Sequence, residues 1–232
     1  SYYAQSVRGQ LDIWRREKPI ESVIEDAASP QPLRDKLALA LKAREFASNE
    51  LGLPRNRSYR GYADLERPFV VWNVFAAPEF SIRPAQWCFV MAGCVSYRGY
   101  FAKADAQAFA SETAEGGFDV YVGGVPAYST LGWFADPVLN TFIHYSAAEV
   151  ARLIFHELSH QVVYVKDDSV FNESFAVTVE REGLKRWLAK HGTERDRGVL
   201  EKMRKQRADF ITLIQAYRAR LDALYKIGRA HV

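Results

Sequence analysis

Residues 146–160 read Ser146-Ala-Ala-Glu-Val-Ala-Arg-Leu-Ile-Phe-His-Glu-Leu-Ser-His160. Ser146 followed three residues later by Glu149 is a capping-box pattern, in which hydroxyl and carboxylate satisfy free amides at a helix start. The spacing predicts a helix from there to about Val165. Val150, Leu153, Ile154, Phe155, Leu158, Val162 and Val163 make that helix apolar around most of its circumference, which marks it as buried. Residues four apart share a helix face, so His156 and His160 can present two imidazoles to one tetrahedral zinc ion at roughly 2.0–2.1 Å. Two histidines and a carboxylate in such a helix are costly without partners, and a dication supplies one. Glu157 can accept a proton from water attacking a carbonyl and deliver it to the leaving amine. The competing reading makes His156 and His160 core histidines hydrogen-bonded to backbone or carboxylates, with Glu157 on a solvated edge.

A catalytic zinc takes a third protein ligand and keeps a fourth position open. Glu173 lies thirteen residues after His160, within Phe171-Asn-Glu-Ser-Phe-Ala176. The next helix begins near Asp168 to Asn172 and runs to Lys190, stopped by His191-Gly192. A short turn folding it back would bring Glu173 to the two imidazoles, and Asn172 is read as the cap of this helix rather than a ligand-orienting group.

Upstream, Leu11, Trp14, Ile20, Val23 and Ile24, then Leu33, Leu37, Leu41 and Phe46, predict a helical hairpin broken at Ser29-Pro-Gln-Pro32. From Pro68 the composition turns β-branched and aromatic, predicting strands over 70–75 and 88–97. Ala102 to Glu115 reads as a helix, and Phe118 to Val122 as a strand closed by Gly123-Gly124. Val125 to Asn140 reads as an extended or looped stretch. Its Gly124 to Trp133 part is a candidate substrate platform, since extended peptides pair with sheet edges, although Gly and Pro there equally suit a structural turn. Tyr128, ahead of Tyr145, His144 and Tyr164, is the candidate donor to a developing oxyanion. A charged helix over 194–226 follows. The predicted fold is α+β, a small sheet packed on the site helix and flanked by helices, in a single domain over 1–226.

The 31 Lys and Arg against 28 Asp and Glu leave a dispersed net charge of +3, which points away from a nucleic-acid binder. No apolar run approaches the roughly 20 residues that span a bilayer. Cys88 and Cys94 are poor metal ligands at their spacing, and the residues alone leave open two buried thiols or a local disulfide. The chain begins without Met, so a leader or lipid-anchored cysteine upstream would lie outside it. Ile227 to Val232 resembles the translation of a sequencing adapter. The natural chain is therefore expected to continue past about Lys226, with His231 carrying no function.

His156-Glu-Leu-Ser-His-Gln161 with Phe171-Asn-Glu-Ser-Phe-Ala176 resembles the paired motifs of gluzincin aminopeptidases, with a shorter gap between them than in the large alanyl-aminopeptidases. Tyr2-Tyr-x-Gln, Gly9-Gln-Leu, the Gly93-Cys-Val-x-Tyr-Arg-Gly-Tyr100 run, Gly124-Val-Pro-Ala-Tyr-Ser-Thr-Leu-Gly132, Asp136-Pro-Val-Leu and Val165-Lys-Asp-Asp168 are similar to a bacterial family of predicted aminopeptidases, nearly throughout to about Leu188. That resemblance implies a zincin-like fold, one zinc ion held by His156, His160 and Glu173, Glu157 as general base and acid, and a peptide substrate. It also implies an upstream lipoprotein signal and a periplasmic location, the chain meeting a membrane only through that anchor, which favours a Cys88–Cys94 disulfide. An endopeptidase, and a non-catalytic interaction protein stabilised by zinc, are the alternatives.

Overall fold

The computed structural model describes residues 2–89 and 93–229, the side chains of 228 and 229 excepted. Residues 1–71 with 124–193 form one compact unit and 72–123 with 194–232 a second. The architecture is α+β, mainly helical with small sheets.

In the first unit, α1 (Tyr2–Arg16), β1 (Lys18–Pro19), α2 (Ile20–Glu25) and α3 (Gln31–Glu50) replace the predicted two-helix hairpin with three helices. The break falls at 26–30. Pro32 lies inside the first turn of α3, where its missing N–H costs no helical hydrogen bond. A three-stranded sheet orders β1, β2 (Gly61–Ala63) and β8 (Val138–Leu139), β2 running antiparallel to β1 and parallel to β8. After the four-residue α5 (Asn140–Ile143), α6 (Ala147–Ser159) and α7 (Ser169–His191) pack on each other and on α3. Phe46, Phe155 and Trp187 meet at the centre of that layer, with ring centroids 5.2–6.4 Å apart. Gly183 permits the close approach: a Cβ there would stand 2.7 Å from Leu51 Cδ1 and 3.0 Å from Phe155 Cδ2.

The second unit holds most of β3 (Val71–Pro78), then β4 (Trp87–Phe89), β5 (Gly93–Val95), β6 (Arg98–Tyr100), α4 (Lys103–Glu115), most of β7 (Phe118–Val125), and α8 (Glu194–Arg229). Its sheet orders β6-β3-β7. The predicted strand over 88–97 is broken into β4, β5 and the start of a turn into β6; its residues 90–92 lie outside the described residues. Cys88 and Cys94 face each other across the β4–β5 pair and form a disulfide. The strand predicted to stop at Val122 continues through Gly123 and Gly124 to Val125, because neither glycine takes a positive φ there. The long C-terminal helix is present to Arg229; of the Ile227–Val232 segment read as foreign, 230–232, including His231, lie outside the described residues. Among the described residues no helix is long and apolar enough to cross a membrane.

Candidate metal centre

The capping box that predicts the start of α6 is formed: Glu149 N donates to Ser146 Oγ at 3.3 Å, and Ser146 N to Glu149 Oε2 at 3.0 Å. Val150, Ile154, Phe155 and Leu158 are fully buried. The helix ends at Ser159 with His160 as its C-cap, six residues short of the predicted limit near Val165. The β-branched run Val162, Val163, Val165 gains little from continuing, and Ser159 Oγ turns back onto His156 O at 2.5 Å. Val162 is consequently exposed rather than part of the apolar face.

The connection into α7 is held by side chains. Asp168, not Asn172, caps α7, its carboxylate accepting from Phe171 N at 2.9 Å. Asn172 is buried and clamps Val165, donating Nδ2 to its carbonyl and accepting its amide, both at 2.8 Å. A buried amide that satisfies both backbone groups of one residue fixes the turn more tightly than an exposed cap would. That turn delivers Glu173 to the histidines.

His156 Nε2 and His160 Nε2 stand 3.2 Å apart. Glu173 places Oε2 3.5 Å from the first and Oε1 3.6 Å from the second. Ligands at zinc bond lengths in a tetrahedron are separated by roughly 3.3–3.4 Å. The three side chains therefore fit a metal ion: their ligand atoms all lie within 4.8 Å of one another. His160 is lowered from its ordinary pKa by burial and by the neighbouring His156, which favours the neutral, ligating imidazole. Burial alone would lower His156 as well, but hydrogen bonds to Glu173 and Glu180 more than reverse it, to about 9.

Glu180 is the residue that sequence reasoning missed. It is 2% exposed, accepts from His156 Nδ1 at 2.9 Å and from Arg152 Nη1 at 2.8 Å. With its Nδ1 so engaged, His156 directs Nε2 at the cluster, the arrangement by which outer carboxylates orient metal-bound histidines. The signal was available in the spacing: Glu180 follows Glu173 by seven residues, two turns along one face of α7.

Glu157 is half-buried beside this cluster. Its carboxyl is pushed up to about 7, chiefly by burial; His156 opposes the shift, and Asp136 and Glu173 add to it. The other candidates lie outside the metal cluster. Tyr128 donates its hydroxyl to Gln10, and the Phe69 ring lies against Gly124, where a Cβ would stand 2.3 Å from Phe69 Cδ2. His144 is exposed at the C-terminal cap of α5, its Nδ1 3.2 Å from Asn140 O. Tyr145 accepts Lys36 on its carbonyl, and the Tyr164 phenol is raised by burial and by Asp167.

Two imidazoles and a carboxylate at ligand spacing, with a second carboxylate alongside, define a candidate metal centre carried on a buried helix. The chain belongs to the family described as "Putative aminopeptidase", whose profile matches residues 1–231. No curated protein and no solved structure matches it.

Proposed function

We propose that this chain is a zinc-dependent peptidase of the gluzincin type with a zincin-like fold, acting as an aminopeptidase on peptide substrates. The observation that carries the reading is the convergence of His156, His160 and Glu173 at tetrahedral ligand spacing, with Glu157 next to them in sequence and in space. These three residues would hold the ion. Bound zinc supplies a Lewis acid that polarises a carbonyl and acidifies water. Glu157 takes the proton of the attacking water, and its raised carboxyl, near neutrality, suits it to return that proton to the departing amine. Glu180 and Arg152 hold the His156 ring in place. The exopeptidase assignment is supported by family membership. A disulfide persists in oxidising compartments, so the Cys88–Cys94 bond fits a periplasmic protein.

The test is metal analysis of the purified protein beside Glu173→Ala, followed by cleavage of aminoacyl and internally quenched peptides. Near-stoichiometric zinc that is lost in the variant, with chelator-sensitive release of N-terminal residues, is expected. Internal cleavage would make the enzyme an endopeptidase. A well-folded protein that binds no zinc would return His156 and His160 to the role of core histidines and remove the peptidase reading.

A further inference from the structure

Large exposed apolar side chains gather on α8, the 36-residue helix of the second unit. Leu200, Met203, Arg207, Phe210, Ile214, Tyr217, Leu221 and Leu224 follow one another in steps that alternate between three and four residues. A helix turns once in about 3.6 residues, so this spacing lays the side chains along one stripe with a seven-residue period. The repeat is complete by Leu224, ahead of the Ile227–Val232 segment.

The stripe is covered at one end only. Leu200 and Met203 are half-buried, whereas Phe210, Ile214, Tyr217, Leu221 and Leu224 are between 39% and 60% exposed. Towards its C-terminal end α8 meets its own unit through a residue off the stripe: the Tyr225 ring stands against Phe80 at a centroid distance of 5.9 Å. Ile211 and Leu213 flank the stripe and are exposed as well. Single apolar residues are ordinary on a surface, but a contiguous patch of several hundred Å² marks an interaction site.

The area fits a pair of such faces. At roughly 100 Å² left exposed per residue, the apolar side chains from Phe210 to Leu224 present on the order of 700 Å². Two copies together would remove about 1,400 Å² from water, within the roughly 1,200–2,000 Å² of stable complexes. A stripe of alternating three- and four-residue steps is complementary to another of the same period, and a second copy of this chain supplies one.

Charge decides the direction. Arg207 occupies a stripe position, and in a parallel pair it would face its own counterpart, cation against cation. In an antiparallel pair with its axis between Ile214 and Tyr217, Arg207 lies opposite Leu224, Phe210 opposite Leu221, and Ile214 opposite Tyr217. The flanking Arg218 and Arg220 then lie beside Ile211 and Leu213 of the second copy, over which their methylene stems can spread while the charged heads stay in water.

We propose that α8 is a dimerisation helix: two copies of this chain pair antiparallel along the stripe from Arg207 to Leu224, with Phe210, Ile214, Tyr217 and Leu221 at its centre. The pairing is independent of the metal centre and of the peptidase reading.

The experiment is sedimentation equilibrium of the native chain beside an Ile214→Glu/Leu221→Glu double variant. The native chain is expected at twice the monomer mass at micromolar concentration. The variant, which would bury unpaired charges in the pair, is expected to associate about a hundredfold or more weakly, with its helicity and the Cys88–Cys94 disulfide retained. A native chain that stays monomeric at every concentration, or a variant that pairs as tightly as the native chain, would overturn the proposal. Direction is read with cysteines. Oxidation of a Phe210→Cys/Leu221→Cys chain is expected to link two copies. Phe210→Cys alone is expected to stay unlinked, because its counterpart lies about 16 Å along the antiparallel pair at a rise of 1.5 Å per residue. Linkage through Phe210→Cys alone, or none in the double variant, would overturn the antiparallel pairing.

Discussion

Asp136 is 4% exposed and its carboxyl is pushed up to about 6 by burial, against partial relief from Thr130, Ser129 and Gln161. Between its ordinary value near 3.8 and about 6, the folded protein holds the proton more tightly than the unfolded chain, so this residue's contribution to stability falls as pH rises through that window. Asp136→Asn cannot ionise. The stability of the native chain relative to this variant should therefore decline on the order of 2–3 kcal/mol from pH 4 to pH 7, as read by urea unfolding. A pH-independent difference would show that the carboxylate is not desolvated. Glu157 is the other carboxyl whose charge state matters here. Glu157→Gln should retain zinc while losing about 10²–10⁴-fold in kcat, the usual span for a general base. Unchanged peptidase activity in that variant would remove Glu157 from the mechanism.

At the scale of elements, the site depends on α6 and α7 lying close and in one register. Glu180 on α7 holds His156 on α6 at 2.9 Å. Replacing its carboxylate in Glu180→Gln weakens that restraint and the pairing with Arg152. Zinc affinity should fall about 10–100-fold in a competition titration, with secondary structure retained. An affinity equal to that of the native protein would make Glu180 merely a partner of Arg152. Gly183 lies one turn further along α7, against Leu51 and Phe155. Gly183→Ala inserts a methyl group into contacts of 2.7 and 3.0 Å. Overpacking of this kind costs about 1–3 kcal/mol, although alanine gains roughly 1 kcal/mol of helix propensity over glycine. A net loss of stability is expected in denaturant unfolding, and a stabilised variant would mean that the helices can separate without penalty.

At the scale of the molecule, the metal cluster and all the groups that orient it belong to the unit formed by residues 1–71 and 124–193. The disulfide belongs to the other unit, on a two-stranded hairpin. Closing so short a loop constrains the unfolded chain by about 2 kcal/mol on the chain-entropy account. Intact mass without reductant should be lower by two hydrogens than after reduction, and reduction should lower the unfolding midpoint while leaving bound zinc unchanged. Loss of zinc on reduction would instead show that the two units are coupled.

Residues 146–176 alone determined the existence of the site helix, its capping box and the ligand-type residues His156, His160 and Glu173, and the β-branched, aromatic stretches between 68 and 122 added the α+β class. Helical spacing and capping are local physics, and local physics is written in adjacent residues. The second helix was legible for the same reason, but not the identity of its cap, because Asp168 and Asn172 are both competent and only the buried carbonyl and amide of Val165 decided between them. The breaks within the first fifty residues and within 88–97 were missed because short strands form only where a partner strand is present. Glu180 joined the cluster through packing, by the approach of α7 to α6. A sequence pattern can show that a residue is able to bind a proton, a metal or a carbonyl; which partner stands within 3 Å of it, and how much water is left around it, is decided when separate stretches of chain are brought together.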